Sequence, residues 1–575
     1  MATYSDNQNH QILLAFLKEY GIKKVVASPG GTNPAMVISF QSDNFFEMYS
    51  SVDERSAAYM ACGLSEASGE PVIICCTGAT ASRNYMSALT EAYYKKLPIV
   101  VITCSRPNFN LGHLMPQVTN RNQYPADILV KGEHIQQIKD KKDIWDVEVK
   151  INRGLMALTQ HGGGPIHFNL ECYSQTCTTN TLPSVHITKR IDLEQEFPPM
   201  VDGNVAIFVG SHKSMDEELI QLIDEFCENY NAVVLSDHTS GYKGKYSIPF
   251  ALIGTQEKHK FDIQSFNLLI HLGNISGDYP TFENITADNI WRVSEDGELR
   301  IRFNHLEYLF EMTDKSFFRH YHKERTGEKI MPLFEQISNI YDELYESIPE
   351  LPFSHIYIAK KMAPLLPKDS VVHFAILNSL RSWNFFKIDG SIVTNSNVGG
   401  FGIDGCTSTL IGASLANKDK LHFLFTGDLA FFYDMNSLGN RHLGNNVRIM
   451  LLNDGKGAEF CHYKFPKYVV DRELFVAASG HFGKQSKNLV KHYAEDLGFE
   501  YIHASTKEEF IDNIECFVSS DNMNKPILFE VFADVNDQSE AWRILSNLSK
   551  GTIGENAKRI AKSSAIKVVS TIFHK

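Results

Sequence analysis

The stretch Leu421-His422-Phe423-Leu424-Phe425-Thr426-Gly427-Asp428-Leu429 decides the fold of the carboxyl-terminal part of this chain. It is a short apolar run that ends in Gly-Asp. A second apolar run, 447–452, ends in Asn453-Asp454-Gly455, and Asn453 lies 25 residues after Asp428. Two buried strands with these ends predict that both polar residues reach one edge of a sheet, where open α/β folds bind ligands.

A carboxylate, an amide and the backbone of a glycine turn provide hard oxygen ligands at this edge. Mg²⁺ takes one or two protein carboxylates and fills its remaining positions with phosphate oxygens and water. Asp428, Asn453 and the carbonyl of Gly455 are therefore candidate metal ligands. Either motif alone is also typical of an ordinary turn, so the prediction depends on the rest of the chain.

Length, composition and charge narrow the class of protein. The 575 residues predict about three domains, at ~100–200 residues each. The content of 43% hydrophobic and 21% charged residues is ordinary for a globular protein. A net charge of −13 and the lack of a basic run argue against nucleic-acid binding. Ten scattered cysteines without metal spacing, no signal peptide and no membrane-length apolar run predict a reduced, cytoplasmic protein.

Strand-like and helix-like segments alternate along the chain, which predicts parallel sheets in an α/β fold. Three such series are expected, at 1–180, 200–320 and 350–550. A proline-containing linker is expected at 178–199, and a loosely attached tail at 551–575. The predicted strands are 24–27, 71–76, 97–104, 205–209, 232–235, 268–272, 370–374, 421–425, 447–452 and 527–531.

A second carboxylate stands out at Glu54, in the segment Ser51-Val52-Asp53-Glu54-Arg55-Ser56-Ala57-Ala58. It lies where a strand ends and a helix rich in small residues begins. Taken alone, an acidic residue there is typical of a helix start, where it complements the helix dipole. In an apolar pocket the same carboxylate would have a raised pKa suited to proton exchange near neutrality.

Taken together, these segments resemble the thiamine diphosphate enzymes, and among them the menaquinone-pathway 2-succinyl-5-enolpyruvyl-6-hydroxy-3-cyclohexene-1-carboxylate synthases. The resemblance covers nearly all of the chain before the tail. It implies three doubly wound parallel-sheet domains: a pyrimidine-binding, a central and a diphosphate-binding domain. The segments that carry it are 52–58, 69–71, 91–94, 105–107, 378–380, 402–405, 427–429 and 433–436.

The resemblance implies a cofactor, thiamine diphosphate with Mg²⁺, and a role for each matching residue. Glu54 would hydrogen-bond the aminopyrimidine ring and promote loss of the thiazolium C2 proton. Ile403 would hold the cofactor bent, Ser379 would lie near the substrate, and Gln117 near the reacting centre. Asp428, Asn453 and Gly455 would hold the metal. The other expected cofactor-binding residues are Ser28, Gly30, Thr77, Gly402, Gly427 and Leu429.

The departures from the synthases concern their substrate-binding arginines. Thr32, Trp383 and Val398 stand where the synthases have arginines, and Arg381 lies two positions early. The Lys-Arg pair of their central domain falls near 278–279. Because bidentate arginines are the usual grip on carboxylates, we predict a different acceptor and a less acidic donor.

The loop after the metal motif also departs from the synthases, with Lys456, Glu459 and His462 at mostly apolar positions. Glu459 has a counterpart in related decarboxylases that works in proton transfer, and it is equally typical of a solvated helix start. His462 and His113 are candidate acid/base groups, although a lone histidine is more often structural.

Several functions fit the pattern. A decarboxylating carboligase would use a 2-oxo acid donor and an acceptor other than isochorismate, and a simple decarboxylase would release an aldehyde. A non-catalytic module has no reason to keep Glu54, Asp428 and Asn453 together, and a dehydrogenase would need a GxGxxG that is missing. The carboligase is preferred. The resemblance further implies a homodimer or homotetramer with the cofactor between subunits.

Overall fold

The computed structural model describes residues 2–121, 123–257, 261–303, 305–322, 332–464, 466, 471–480, 486–520 and 524–549. These residues divide into two compact units. Unit 1 contains residues 2–195 and 296–311, and unit 2 contains residues 196–295 and 312–549. The predicted tail, 551–575, lies outside the described residues.

Unit 1 is built on a parallel sheet in the order β2-β1-β3-β4-β6-β5. Its strands are β1 (Lys24–Ala27), β2 (Glu47–Ser50), β3 (Val72–Thr77), β4 (Ile99–Ser105), β5 (Lys131–Ile135) and β6 (Ile166–Glu171). The helices between them are Gln8–Glu19, Pro34–Ser42, Glu54–Ser68, Ala81–Asn84, Met86–Lys95 and Lys141–Ala157.

Both faces of this sheet are buried, because successive residues of each strand point to opposite sides. Ile73 and Cys75 of β3 join one apolar cluster, and Val72, Ile74 and Cys76 join the other. Burial on two faces explains why the strand reads as a continuous apolar run rather than an alternating one.

The expected linker at 178–199 contains a strand, which corrects that expectation. The strand β7 (Lys189–Ile191) pairs in parallel with a later strand of the same unit, Leu306–Phe310. Three consecutive backbone pairings order this segment in spite of its prolines, a tertiary effect that local composition does not reveal.

Unit 2 contains two further parallel sheets. The first has the strand order β10-β9-β8-β11-β12. Its strands are β8 (Val205–Val209), β9 (Ala232–Ser236), β10 (Ser247–Ile248), β11 (Ser265–Leu272) and β12 (Thr286–Val293), and Leu306–Phe310 of unit 1 is β13. The helices of this part are Glu217–Tyr230, Ala251–Gly254, Tyr279–Asn284, Asp314–His320 and Pro332–Glu346.

The second sheet of unit 2 has the order β15-β14-β16-β17-β19-β18. Its strands are β14 (Val371–Phe374), β15 (Val393–Ser396), β16 (His422–Gly427), β17 (Val447–Asn453), β18 (Glu500–Ala504) and β19 (Ile527–Phe532). Its helices are His355–Met362, Asn378–Trp383, Cys406–Ala416, Asp428–Asp434, Glu473–Val476, Leu489–Asp496, Lys507–Val518 and Val535–Leu545. The predicted α/β class with three parallel sheets is confirmed.

Candidate active site

The carboxyl ends of β16 and β17 bring Asp428 and Asn453 to the same edge of the last sheet, as the sequence predicts. The strands pair in parallel, and Gly427 lies opposite Leu452. Asp428 and Asn453 are the next residues of the two segments, so they come at the same end of this pair of strands. Both are buried. The Asp428 carboxylate accepts hydrogen bonds from the backbone N–H of Leu429 (2.7 Å) and of Gly455 (2.6 Å), which fixes both of its oxygens.

Glu530 on the neighbouring strand β19 orients Asn453, and sequence reasoning missed it. The Asn453 amide Nδ2 donates to Glu530 Oε1 (2.7 Å), and Tyr501 Oη donates to Oε2 (2.8 Å). Burial raises the pKa of Glu530 to about 6, these two hydrogen bonds oppose the rise, and the Asp428 charge adds to it. The available signal was a single charged residue inside the apolar run 527–532.

The donor set at this edge fits a magnesium ion that shares a diphosphate. It contains one carboxylate, one side-chain amide and the carbonyl of Gly455, whose backbone φ of +84° forms a turn that favours glycine. Among the described residues, no group of three or more His, Cys, Asp and Glu side chains is placed to hold a metal. A site with one carboxylate matches an ion that takes its other ligands from phosphate and water.

Two further predicted residues lie in the same unit. Ser379 is buried in the first turn of the helix Asn378–Trp383. The residue before this helix, Leu377, has φ +66° and ψ −126°, which are strained for a non-glycine residue. Ile403 is half-buried and packs against the apolar cluster around Leu410. Beside it, a Cβ on Gly402 would lie 2.2 Å from Asp404 Oδ1, so a larger residue there would displace the Asp404 side chain.

Glu459 is tied down by three hydrogen bonds. With the Asn378 amide oriented so that both of its atoms have partners, Nδ2 donates to Glu459 Oε2 (2.9 Å) and Oδ1 accepts from the Glu459 backbone N–H (3.1 Å). Arg381 Nη1 donates to Glu459 Oε1 (2.6 Å). The guanidinium of Arg381 also lies 4.6 Å from the ring centroid of Tyr279. Both carboxylate oxygens of Glu459 therefore already accept a hydrogen bond from a neighbouring side chain.

The other polar residues of this loop are also paired or neutral. Lys456 forms an ion pair with Glu473. His462 packs against Tyr463 and Trp542, and burial lowers its pKa to about 4, assisted by Lys464 and Arg381. His462 is therefore uncharged near neutrality.

In unit 1, Glu54 begins the helix Glu54–Ser68 just after β2, at the carboxyl edge of the sheet. Asp53 caps this helix by accepting hydrogen bonds from the backbone N–H groups of Arg55 (2.7 Å) and Ser56 (3.1 Å). This leaves the Glu54 side chain to accept from Asn84 Nδ2 (2.9 Å). Glu54 is half-buried and its neighbour is polar, so unit 1 alone does not supply the apolar pocket expected around it.

The first loop approaches the end of β3 closely. A Cβ on Gly30 would lie 2.5 Å from Thr77 Cβ, so only glycine fits there. Ser28, at the start of the loop, is buried, and its backbone N–H donates to the carbonyl of Cys75 (2.9 Å). The structure thus brings Ser28, Gly30 and Thr77 together at one edge.

The three positions where the synthases have arginines hold buried side chains. Thr32 is 8% exposed, and its hydroxyl hydrogen-bonds Thr77 and donates to the Cys104 carbonyl (2.6 Å). In unit 2, Trp383 is 1% exposed and packs 4.3 Å from the Phe425 ring, and Val398 is 3% exposed. These residues contribute to the core and present no cation.

Gln117 and His113 lie on an exposed loop of unit 1, and Gln117 has a left-handed φ of +61°. Their roles stay predictions. The same region holds Arg121, which sequence reasoning missed. Arg121 is 3% exposed, donates from Nε to Asn169 (3.0 Å), and lies against Gly78, where a Cβ would be 3.2 Å from Nη1. It is a buried cation beside the loop that follows β3.

Comparison with known proteins supports the same assignment. Residues 8–125 match the family model described as "Thiamine pyrophosphate enzyme, N-terminal TPP binding domain". The resemblance to the thiamine diphosphate enzymes is confirmed.

The similarity to curated proteins extends over nearly the whole chain. A 2-succinyl-5-enolpyruvyl-6-hydroxy-3-cyclohexene-1-carboxylate synthase of Phocaeicola vulgatus is 28% identical, over 92% of this chain and 96% of its own. Proteins of the same name from Bacteroides thetaiotaomicron (28% identical, 93% and 97%) and Flavobacterium psychrophilum (27%, 92% and 96%) are similar.

Two further features concern the cysteines and the apolar helices. All ten cysteines are free thiols. In the described part of the chain, no helix has both the length and the apolar character needed to cross a membrane.

Proposed function

We propose that this chain is a thiamine diphosphate- and Mg²⁺-dependent carboligase. It would decarboxylate a 2-oxo acid and transfer the remaining acyl unit to an acceptor other than isochorismate. When bound, the cofactor supplies the electron sink for loss of CO₂. The relatives are named as synthases, which supports a ligase rather than a simple decarboxylase.

The residues of the last sheet edge support the cofactor assignment. Asp428, Asn453 and the Gly455 carbonyl would hold the metal. Glu54 would hold a proton at the aminopyrimidine ring, with Asn84 positioning its carboxylate at 2.9 Å. Ile403, Ser379 and Gln117 are proposed to contact the cofactor or substrate.

One observation carries the proposal of an acceptor other than isochorismate: Thr32, Trp383 and Val398, at the positions where the resemblance implies arginines, are all buried. Arg381 does not replace them, because it already forms an ion pair with Glu459 (2.6 Å). Without cations at these three positions a polycarboxylate would have fewer partners for its charges, and desolvating a charge without a partner is costly. The proposed donor and acceptor therefore carry fewer carboxylates.

The ion pair of Glu459 also disfavours the runner-up, a decarboxylase that releases an aldehyde. That reaction needs a group that delivers a proton to the decarboxylated carbon. Glu459 was the candidate, and Arg381 (2.6 Å) and Asn378 (2.9 Å) already engage both of its carboxylate oxygens. We therefore prefer addition to a second substrate as the outcome.

A screen of 2-oxo acids tests the proposal. The purified chain is incubated with thiamine diphosphate, Mg²⁺ and each acid, and CO₂ release is measured with and without aldehyde, ketone or activated alkene acceptors. We expect turnover to rise when an acceptor is present and the ligated product to be detected by mass spectrometry. Efficient turnover of 2-oxoglutarate with isochorismate would overturn the proposed specificity, and acceptor-independent aldehyde release would favour the decarboxylase.

A further inference from the structure

Unit 2 contains a cavity of about 250 Å³ away from the metal edge. It lies at the carboxyl end of β9, where the chain continues through Asp237 and His238, and the segment 384–390 closes its other side. Open α/β sheets bind ligands at this edge. The volume is below that of a typical drug-sized pocket, so it suits a small ligand.

The amide of Asn384 offers a hydrogen-bond donor that no protein group uses. Asn384 is 2% exposed and lines the cavity. Its Oδ1 accepts from the backbone N–H of His238 (3.2 Å), which fixes the amide orientation and leaves Nδ2 as the remaining group. Within the described residues, Nδ2 is buried and has no hydrogen-bond partner. A buried donor left in this way costs free energy unless a ligand or water accepts from it.

Lys243 adds a cation to the same wall. Its ammonium donates a hydrogen bond to Thr394 Oγ1 (3.3 Å). An ammonium has three N–H donors, so this bond uses one of the three. Burial lowers the pKa of Lys243 to about 8, and the nearby Asp237 opposes this change. Asp237 does not satisfy the ammonium, because Ser276 Oγ and the backbone N–H and hydroxyl of Thr239 donate to its oxygens at 2.6 Å each.

The rest of the lining combines apolar side chains, among them Phe386 and Ile388, with the hydroxyl groups of Ser236, Tyr242 and Ser247. Lys387 also lines the cavity, and its Nζ forms an ion pair with Asp342 (3.6 Å). An amide and an ammonium that both donate, beside an apolar wall, match a carboxylate with an organic substituent. An inorganic phosphate would gain little from the apolar surface.

We propose that this cavity binds a small organic monocarboxylate between Lys243 and Asn384, separately from the active site. One carboxylate oxygen accepts from the ammonium and the other from the amide, and the substituent packs on Phe386. The helix Asn378–Trp383 ends at this cavity and carries Asn378 and Ser379 of the candidate active site in its first turn. Binding at Asn384 thus stabilises the end of the helix opposite the active site.

Calorimetric titration of the full chain with sodium benzoate tests the proposal, with and without thiamine diphosphate and Mg²⁺. Benzamide, which has the same shape without the charge, and inorganic phosphate are titrated in parallel. We expect benzoate alone to bind. Because the test does not use turnover, it stands or fails independently of the proposed function.

Three variants localise the binding. Lys243→Met keeps the apolar stem and is expected to weaken benzoate binding at least about tenfold, as loss of a charge-assisted hydrogen bond does. Asn384→Asp keeps the acceptor for His238 and places a like charge against the ligand, so binding should be lost. Lys245→Met, on the exposed side of the same loop, should bind as the parent does. Equal binding of benzamide, tighter binding of phosphate, no heat with benzoate, or unchanged affinity in Lys243→Met would each overturn the proposal.

Discussion

Glu54 combines two properties in unit 1: it begins the helix that follows β2, and the amide of Asn84 positions its carboxylate. In the proposed role it exchanges a proton with the cofactor ring. Glu54→Gln should slow exchange of the C2 proton of bound thiamine diphosphate by about 10²–10⁴-fold, the usual worth of a positioned acid or base. Mg²⁺-dependent cofactor binding should be nearly unchanged.

The exchange rate is measured by NMR in deuterated buffer. Glu66→Gln, an exposed substitution on the same helix, provides the matched control. Persistence of fast exchange in Glu54→Gln would show that another group performs this step.

Glu530 is the second residue whose replacement is informative, because it fixes the amide of Asn453 at 2.7 Å. Glu530→Ala should weaken Mg²⁺ affinity about 10–100-fold, as loss of an outer-shell partner typically does. Glu530→Gln keeps an acceptor for Asn453 and should restore most of the affinity. Equal Mg²⁺ affinities of Glu530→Ala and the parent, measured by titration in the presence of thiamine diphosphate, would remove Glu530 from the metal site.

Residues that end strands could be predicted from the sequence, and residues that pair across strands could not. Asp428 and Asn453 follow apolar runs, so their position at the edge was evident. Glu530 gains its role only from the register that places Leu451 opposite it, and Arg121 only from the packing of its loop against Gly78. Glu459 was predicted as a solvated or proton-transferring group. Its ion pair with Arg381, on the helix Asn378–Trp383, joins residues 78 positions apart in the sequence.

At the scale of the element, a substitution in the loop between β1 and the helix Pro34–Ser42 tests how tightly this loop packs against the end of β3. Gly30→Ala would place a methyl group 2.5 Å from Thr77 Cβ. Overpacking of this kind should destabilise the protein by about 1–3 kcal/mol and weaken cofactor binding. Gly31→Ala, where a Cβ meets nothing within 4 Å, is the adjacent control. Thermal unfolding that ranks the two variants equally would contradict the packing seen here.

Element type and order followed from the sequence more closely than element boundaries. The predicted strands 24–27 and 205–209 are reproduced, and others shift by one to three residues. After β3 the helical segment consists of two pieces, Ala81–Asn84 and Met86–Lys95. The strand Lys189–Ile191 was missed because a short polar segment forms a strand only when a partner strand supplies its hydrogen bonds.

At the scale of the whole molecule, the exposed apolar residues of unit 1 bear on the predicted homodimer. Tyr59 and Met60, on the helix Glu54–Ser68, are each 46% exposed, and Tyr94 is 69% exposed. Grouped apolar side chains of this size are typical of protein contacts. Met60→Glu should convert a dimer of the 64.9 kDa chain into monomers in sedimentation experiments.

The same variant should lose affinity for thiamine diphosphate if the cofactor site is completed by a partner subunit. Ser68→Glu, at the exposed end of the same helix, adds the same charge without removing apolar surface. A parent chain that sediments as a monomer and still binds cofactor fully would exclude the subunit-shared site.

Calorimetric titration of the full chain with thiamine diphosphate in the presence of Mg²⁺ tests the central claim most directly. The account predicts saturable heat that disappears when Mg²⁺ is chelated. It also predicts that binding weakens at least about tenfold in Asp428→Asn, which removes a charge from the metal site, and stays unchanged in Asp419→Asn on the exposed surface. Absence of binding to the parent chain, or binding indifferent to both Mg²⁺ and Asp428, would contradict it.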